Sequence, residues 1–250
     1  MARADASSVD VDPDEIARFD KLAAEWWDPN GPMAPLHAMN PARLAFIRDQ
    51  VTATRGSDGR GRAPLRRVRA LDIGCGAGLV AEPLARMGAR VTAIDAASSQ
   101  LEVARRHAAV EGLEIDYRDS SLADLASRRR RFDLVTALEV VEHVPDPTAF
   151  LRQAAACLAP GGVLVGSTLN RTLAALAKAI VGAEYVLGLL PRGTHRFSQF
   201  VRPSEFAGPL EAEGLQVTAI RGLSYRALDR GWEVSDDVSV NYILAAVRPG

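Results

Sequence analysis

The sequence is poor in cysteine and lysine, and it has no excess of charge of either sign. Its 250 residues contain two cysteines, Cys75 and Cys157, and two lysines, Lys21 and Lys178. Two cysteines are too few for a disulfide framework or a thiolate metal cluster, which favours a reducing cytoplasm. Thirty Lys and Arg against 31 Asp and Glu leave a net charge of −1. A protein without a global positive field is not expected to bind nucleic acid.

The sequence also lacks a long uninterrupted hydrophobic run. Its most apolar stretch is 173–190, which is interrupted by Lys178, Glu184 and two glycines. A membrane-spanning helix needs about 20 nearly uncharged residues, so this stretch is not expected to cross a bilayer. Residues 1–12 contain three aspartates and no apolar segment. We expect a flexible arm there rather than an export signal.

The remaining composition is that of an ordinary globular protein, with 48% hydrophobic and 24% charged residues. From residue 68 onward, short aliphatic runs alternate with longer helical patterns. This alternation is typical of βαβ units in a parallel sheet covered by helices on both faces. We predict one α/β domain over 13–250, with seven strands at 68–73, 90–94, 115–118, 132–138, 163–168, 217–223 and 239–247.

Two helices are expected ahead of the sheet, within residues 13–53. Asp12-Pro13 has the pattern of a helix start, with an aspartate cap and a proline in the first turn. Asn40-Pro41 has the same pattern and predicts the start of the second helix. Residues 54–67 are rich in Gly, Arg and Ser, which indicates a connection between these helices and the sheet.

A glycine-rich turn follows the first predicted strand. Residues 71–78 are Leu-Asp-Ile-Gly-Cys-Gly-Ala-Gly, and such glycines allow a tight turn and close approach of a ligand to the backbone. The dinucleotide pattern G-x-G-x-x-G requires glycine at position 79, where this chain has Leu79. The spacing G-x-G-x-G resembles the S-adenosylmethionine site of class I methyltransferases. We expect this cofactor to be bound by Asp72, Gly74, Gly76 and Gly78.

Acidic residues follow the second and third predicted strands. Asp95 lies about 20 residues beyond the glycines, where a carboxylate can accept both hydroxyls of a ribose. The alternative interpretation is a cap for the next helix. Asp119 and Ser120 are expected at the adenine edge of the cofactor, and a helix start is an equally good interpretation of these two residues.

The fourth predicted strand is followed by Glu139, Glu142 and His143, at the edge of the sheet where α/β proteins keep their sites. Their spacing of i, i+3 and i+4 would place all three on one face of a helical turn. Two carboxylates and an imidazole can hold Mg²⁺, and the histidine also allows Zn²⁺ or Mn²⁺. The alternative is a solvated turn in which His143 pairs with a carboxylate.

Longer motifs extend over most of the chain. They include Trp26-Trp27-Asp28, the segment 139–147, Ser167-Thr168-Leu169-Asn170-Arg171 and Val240-Asn241-Tyr242. Together with the glycine turn, these motifs resemble the O-methyltransferase family of ubiquinone biosynthesis. The resemblance implies a Rossmann-like class I methyltransferase fold, with a seven-stranded, mostly parallel sheet. It also implies an N-terminal helical extension and a helical insertion at 169–201, after the fifth strand.

The resemblance implies S-adenosylmethionine as the methyl donor and adds two cofactor contacts. Arg43 would bind the methionine carboxylate, for which a bidentate guanidinium is suited. Leu138 would give an apolar contact to the adenosyl group. Without the resemblance, Arg43 would be interpreted as a surface arginine on an amphipathic helix.

The implied reaction is methylation of phenolic oxygens of 2-polyprenyl-6-hydroxyphenol and 3-demethylubiquinol. A phenol with a pKa near 10 is ionised to about one part in a thousand at pH 7, a deficit of about 4 kcal/mol. We expect Glu139, Glu142 and His143 to be catalytic and to bind Mg²⁺ or a similar ion that activates the ring oxygens. His143 acting as a base without metal is the alternative.

A polyprenylated substrate resides in the bilayer, so the resemblance implies that a cytoplasmic enzyme visits the membrane. Residues 171–196 are mostly apolar and are expected to make this peripheral contact, with a buried lid helix as the alternative. Basic side chains available for anionic headgroups are Arg171, Lys178, Arg192 and Arg196. A ubiquinone-biosynthesis complex is a further expected partner.

Three aromatic residues are given structural interpretations. At least one of Trp26 and Trp27 is expected in the core, and His107 is interpreted as an ordinary histidine on a helix surface.

Among other functions, an NAD-dependent oxidoreductase is disfavoured by Leu79 and by the lack of a hydride-relay pattern. The main alternative function is a methyltransferase acting on a soluble small-molecule phenol or amine.

Overall fold

One sheet of eight strands organises the chain. The computed structural model describes residues 25–57, 59–177, 197–226 and 231–250. The strand order is β3-β2-β1-β4-β5-β8-β6-β7, parallel from β3 through β5 and antiparallel from β5 through β7. The strands are β1 Arg69–Ile73, β2 Arg90–Ile94, β3 Asp116–Arg118, β4 Phe132–Leu138, β5 Leu158–Leu169, β6 Gln216–Arg226, β7 Gly231–Ser235 and β8 Asn241–Val247.

Helices cover both faces of this sheet. They are α1 Ala34–Thr54, α2 Ala81–Arg86, α3 Ser98–Val110, α4 Leu122–Ser127, α5 Pro147–Ala156 and α6 Pro203–Ala212. Shorter helical turns lie at Val141–His143, Leu173–Ala175 and Phe197–Gln199.

The core is divided between the two faces of the sheet. On one face, buried residues of α1, α2 and α3 pack with Leu134 of β4. On the other face, buried residues of α4, α5 and α6 pack with the adjacent Val135. Because successive side chains of a strand point to opposite faces, one apolar strand contributes to both cores. Covering both faces is the usual requirement of a parallel sheet, and it leaves the strand ends as the place for a site.

The strand order reverses between β1 and β4, which is where open α/β sheets bind ligands beyond the carboxyl ends of their strands. The antiparallel β8 adds a residue to this edge. Its first residue, Asn241, lies opposite Leu169, the last residue of β5. Residues that are about 70 positions apart in the sequence are thereby brought together at the same edge of the sheet.

The predicted fold is confirmed, with two corrections. The sheet has eight strands rather than seven: the additional β7 is a partly exposed edge strand that pairs with β6, and no aliphatic run marks it in the sequence. The predicted start of the second helix at Asn40-Pro41 is wrong, because α1 begins at Ala34 and Pro41 lies inside it. The Asn40 side chain instead donates to the carbonyl of Leu79 at 2.7 Å, which ties α1 to the glycine turn.

Several predictions concern parts of the chain outside the described residues. These are the arm 1–12, the helix start at Asp12-Pro13 and residues 178–196 of the insertion. The division into an arm, a single domain and an insertion stays a prediction. Among the residues that the structure describes, no helix is long and apolar enough to cross a membrane.

Candidate functional site

A cavity of about 1820 Å³ opens at the carboxyl edge of the sheet. The ends of β1, β2 and β4 line it, together with α1 and the segment before it. A site for one small ligand usually measures about 300–1,000 Å³. This cavity therefore has room for a cofactor and a second substrate side by side.

The glycine turn forms one wall of the cavity. Gly74, Gly76 and Gly78 have φ angles of 66°, 52° and 96°, which only glycine adopts without strain. A Cβ on Gly76 would lie 2.5 Å from Cζ2 of Trp26. Gly74 and Gly76 line the cavity, as predicted for the cofactor site. Gly78 does not line the cavity, and a Cβ there would lie 2.4 Å from the Tyr117 hydroxyl, so the turn packs closely at this position; its expected cofactor contact stays a prediction.

Asp95 joins the glycine turn to the following helix. Its carboxylate accepts the N–H of Gly76 at 2.7 Å and the N–H of Ala97 at 2.9 Å. The capping interpretation and the ligand interpretation of Asp95 are thus compatible, since a carboxylate has about four acceptor positions. Asp95 also lines the cavity, where its expected contact with ribose hydroxyls stays a prediction.

Asp119 and Ser120 also line the cavity, after the end of β3. Asp119 accepts a hydrogen bond from the Ser98 hydroxyl at 3.0 Å. The helix start expected here is formed by the next residue, because Ser121 caps α4 by accepting the N–H of Asp124 at 3.1 Å. Asp119 and Ser120 are therefore placed for a ligand without serving as that cap.

Asp72 places a nearly buried carboxyl group at the end of β1, with 2% of the residue exposed. One oxygen accepts the Thr136 hydroxyl at 2.7 Å, and the other has no hydrogen-bond partner. Burial raises the pKa of Asp72 to about 7, and the nearby Asp95 raises it further against the effect of Thr136. An orphaned acidic oxygen in a cavity wall suits a cationic ligand, and S-adenosylmethionine carries both an ammonium and a sulfonium.

Glu139 follows β4 in a strained backbone conformation, with φ of 55°. Its carboxylate accepts hydrogen bonds from Arg43 at 2.7 Å and from the Ser167 hydroxyl at 2.6 Å. The Asn241 amide lies 3.4 Å from the other carboxylate oxygen. Three distant segments of the chain thus converge on one acidic side chain.

Arg43 is the cation of this network. It is 2% exposed, so the interpretation as a surface arginine is wrong. Its Nη2 donates to Glu139, while its Nε has no partner. Arg43 and Leu138 both line the cavity, where their expected cofactor contacts stay predictions.

The predicted helical turn of Glu139, Glu142 and His143 is wrong. The short 3-10 turn spans Val141–His143, and Glu139 lies before it. The two carboxylates have different partners, since Glu142 accepts the Thr168 hydroxyl at 2.8 Å. Burial raises the pKa of Glu142, the negative charge of Glu139 raises it further, and His143 opposes both.

This arrangement does not fit the expected metal ion. Within the described ranges, no group of three His, Cys, Asp or Glu side chains is placed to hold a metal. The Glu139 carboxylate already accepts hydrogen bonds from Arg43 and Ser167, and the Glu142 carboxylate accepts one from Thr168. All three predicted residues nevertheless line the cavity.

Sequence reasoning missed the residues that hold the acidic pair in place. Ser167 and Thr168 immediately precede the last residue of β5, and Asn241 begins β8. All three lie inside the motifs 167–171 and 240–242, which on their own indicate no role for these side chains. The signal available in the sequence was a run of buried-strand residues interrupted by hydroxyl and amide side chains beside a predicted site.

Comparisons with known proteins identify the family of this chain. A methyltransferase domain model matches residues 36–220. The ubiquinone biosynthesis O-methyltransferase of Azorhizobium caulinodans is 49% identical over 95% of this chain and 94% of that protein. The protein of the same name from Caulobacter sp. is 49% identical over 97% of each chain. This chain belongs to the ubiquinone biosynthesis O-methyltransferase family.

Solved structures agree on the fold of this family member. Magnesium protoporphyrin IX methyltransferase from Synechocystis, with bound S-adenosylhomocysteine, matches with a TM-score of 0.62 at 20% identity, covering 93% of this chain and 94% of that one. The matching methyltransferase domain and the family together make the protein an S-adenosylmethionine-dependent methyltransferase. Its glycine turn, the unpartnered Asp72 oxygen and the Asp95 carboxylate in the cavity wall fit this cofactor.

Proposed function

We propose that this methyltransferase acts on phenolic oxygens of polyprenylated rings, namely those of 2-polyprenyl-6-hydroxyphenol and 3-demethylubiquinol. The observation that carries the proposal is its full-length similarity to relatives named for O-methylation in ubiquinone biosynthesis. The size of the cavity supports it, because a ring can lie beside the cofactor. Glu142 and His143 line the same cavity and offer a route for the phenolic proton.

The cofactor supplies a methyl group bonded to a positively charged sulfur. We propose that its adenosine contacts Asp95, Asp119, Ser120 and Leu138. The backbone of Gly74 and Gly76 would allow the cofactor to lie close to the glycine turn. The Asp72 carboxyl group, near the end of β1, would attract the positively charged groups of the cofactor. Arg43, with its unpartnered Nε, would hold the carboxylate end.

The phenolic proton has to leave before or during methyl transfer. We assign its acceptance to the His143 imidazole, which lines the cavity. The adjacent Glu142 carboxyl group is buried, which raises its pKa to about 7, and the positive charge that His143 would gain with the proton acts against that rise. A positioned base of this kind contributes about 10²–10⁴ in rate. Glu139 has a different role, which is to hold Arg43 against the cavity wall.

Transfer of labelled methyl from S-adenosylmethionine tests the acceptor. A short-chain 3-demethylubiquinol is compared with a soluble catechol that lacks a tail, each over a range of concentrations. We expect kcat/KM to be at least tenfold higher for the demethylubiquinol. Equal or higher kcat/KM for the soluble catechol would favour the alternative acceptor and overturn the proposal.

Removal of divalent metal tests the proton step. We expect turnover to be unchanged after exhaustive chelation and dialysis, since Glu139 and Glu142 are bonded to other side chains. Turnover that is lost on chelation and restored by Mg²⁺ would show that these carboxylates rearrange around an ion.

We further propose peripheral membrane contact through residues 171–196, and the biosynthetic complex stays a prediction. In the described part of this segment, Leu173 is 78% exposed. Arg171 is paired with Glu205, so we expect anionic lipid headgroups to bind the basic residues that follow in the segment. Flotation with anionic vesicles tests this contact. Binding that is equal after deletion of 178–196, in a variant that still binds S-adenosylhomocysteine, would contradict it.

A further inference from the structure

A second network lies behind the glycine turn, away from the acidic pair. We call Trp27, His107 and Glu82 the clamp. The Trp27 ring stacks on the His107 imidazole, with ring centroids 3.6 Å apart and 5° between the planes. His107 Nδ1 lies 2.7 Å from a carboxylate oxygen of Glu82, a residue of α2 that is 1% exposed. His107 is therefore not the ordinary helix-surface histidine expected from the sequence.

The clamp is hydrogen-bonded to the glycine turn, which forms one wall of the cavity. The indole N–H of Trp27 donates to the carbonyl of Ala77, inside the glycine turn, at 3.1 Å. The neighbouring Trp26 is 7% exposed, packs with Ala77 and Leu79, and lines the cavity. Its ring lies so close to Gly76 that a Cβ there would be 2.5 Å away.

Each bond of the clamp restricts the next one. Glu82 pairs with His107 through one carboxylate oxygen and with Arg86 through the other, at 3.4 Å. A buried carboxylate is costly to leave unpaired, so Glu82 holds the imidazole through the shorter contact. The imidazole presents its face to Trp27, and a stacked aromatic pair is favourable beyond the area that it buries. Because Trp26 and Trp27 are consecutive residues, fixing the ring of Trp27 restricts the position of Trp26.

We propose that His107, held by Glu82, is a positioning residue that keeps Trp26 against Gly76 and thereby shapes the cofactor site. The residue touches neither cofactor nor acceptor in this role. The proposal rests on cofactor binding and not on the identity of the acceptor, so it can fail or hold independently of the phenol assignment.

The test is His107→Ala, with Arg106→Ala as the matched control. Arg106 is the preceding residue of α3, and its side chain is 79% exposed in a pair with Glu102. Binding of S-adenosylhomocysteine is measured by calorimetry, and kcat and the KM for S-adenosylmethionine by labelled-methyl transfer. We expect about 3- to 10-fold weaker binding and a similar rise in KM for His107→Ala, from the usual strength of an aromatic pair, with kcat within twofold. Arg106→Ala is expected to match the wild type.

A rescue variant separates stacking from general destabilisation. His107→Phe retains a flat ring against Trp27 and is expected to bind S-adenosylhomocysteine within about twofold of the wild type. Acrylamide quenching of tryptophan fluorescence is expected to increase in His107→Ala and to stay low in His107→Phe. If His107→Ala does not fold, the comparison is made between His107→Phe and His107→Leu. Unchanged cofactor affinity in the variants without a ring would overturn the proposal, and so would a loss in His107→Phe equal to theirs.

Discussion

The two halves of the cavity are built in different ways. The cofactor half, at the ends of β1 and β2, is made by backbone: glycines with positive φ and an aspartate that accepts backbone N–H groups. The acceptor half, at the ends of β4 and β5 and the start of β8, is made by side chains that meet from distant segments. Ser167 and Asn241 contact Glu139, which also pairs with Arg43, the residue assigned to the cofactor carboxylate. A backbone cradle can be recognised from a short motif, whereas a side-chain network becomes visible only in the folded protein.

If the halves have separate tasks, losing the base should affect rate and not cofactor binding. We expect His143→Gln to lower kcat by about 100-fold, the lower end of the usual contribution of a positioned base. The affinity for S-adenosylhomocysteine should stay within twofold, measured by calorimetry on the same preparation. A parallel loss of cofactor affinity would mean that the two halves are not separable.

The acceptor half should be the one that depends on a buried ion pair for stability. Glu139→Ala leaves the nearly buried Arg43 without its carboxylate, and such a loss costs about 3 kcal/mol of unfolding free energy. Glu102→Ala is the matched control, since its exposed pair with Arg106 is worth about 0.5 kcal/mol or less. Urea unfolding of both variants measures the difference, and equal losses would contradict the role given to Arg43.

The cofactor half should carry a pH dependence of its own. The folded pKa of Asp72 is raised to about 7. The protonated form is therefore favoured by folding, and its contribution to stability is present at low pH and is lost as pH rises through about 7. Between pH 5 and pH 8 this amounts to about 3 kcal/mol in the apoprotein. We expect Asp72→Asn to reduce the slope in urea unfolding by this amount and to leave the part that Glu142 contributes; an equal slope in both proteins would place the titration elsewhere.

The smallest expected effect is on the glycine turn itself. Gly76→Ala introduces a Cβ against Trp26, and we expect about tenfold weaker binding of S-adenosylhomocysteine. Gly112→Ala is the matched control, because Gly112 also has positive φ, of 66°, but has open space around its Cα. Both variants share the backbone strain of about 1 kcal/mol. Equal affinities in calorimetry would mean that Trp26 adapts without consequence for the cofactor.

These contrasts also explain what could be predicted from the sequence. Strand periodicity and the glycine turn predicted the parallel sheet and the position of the cavity, because both depend on residues that are close in sequence. The geometry of Glu139 could not be predicted, since a non-glycine residue with positive φ is held there by partners about 30 to 100 residues away. The role of His107 was missed for the same reason: its partners Trp27 and Glu82 lie on other segments.

The pH dependence of methyl transfer in wild type and His143→Gln tests the central claim, which is that the acceptor half supplies the base. Single-turnover rates are measured with saturating cofactor and a short-chain demethylubiquinol. We predict that the wild-type rate levels off at a lower pH than the rate of His143→Gln. The rate of His143→Gln should keep rising tenfold per pH unit toward the pKa of the phenol, near 10. Profiles of the same shape in the two proteins would contradict the account.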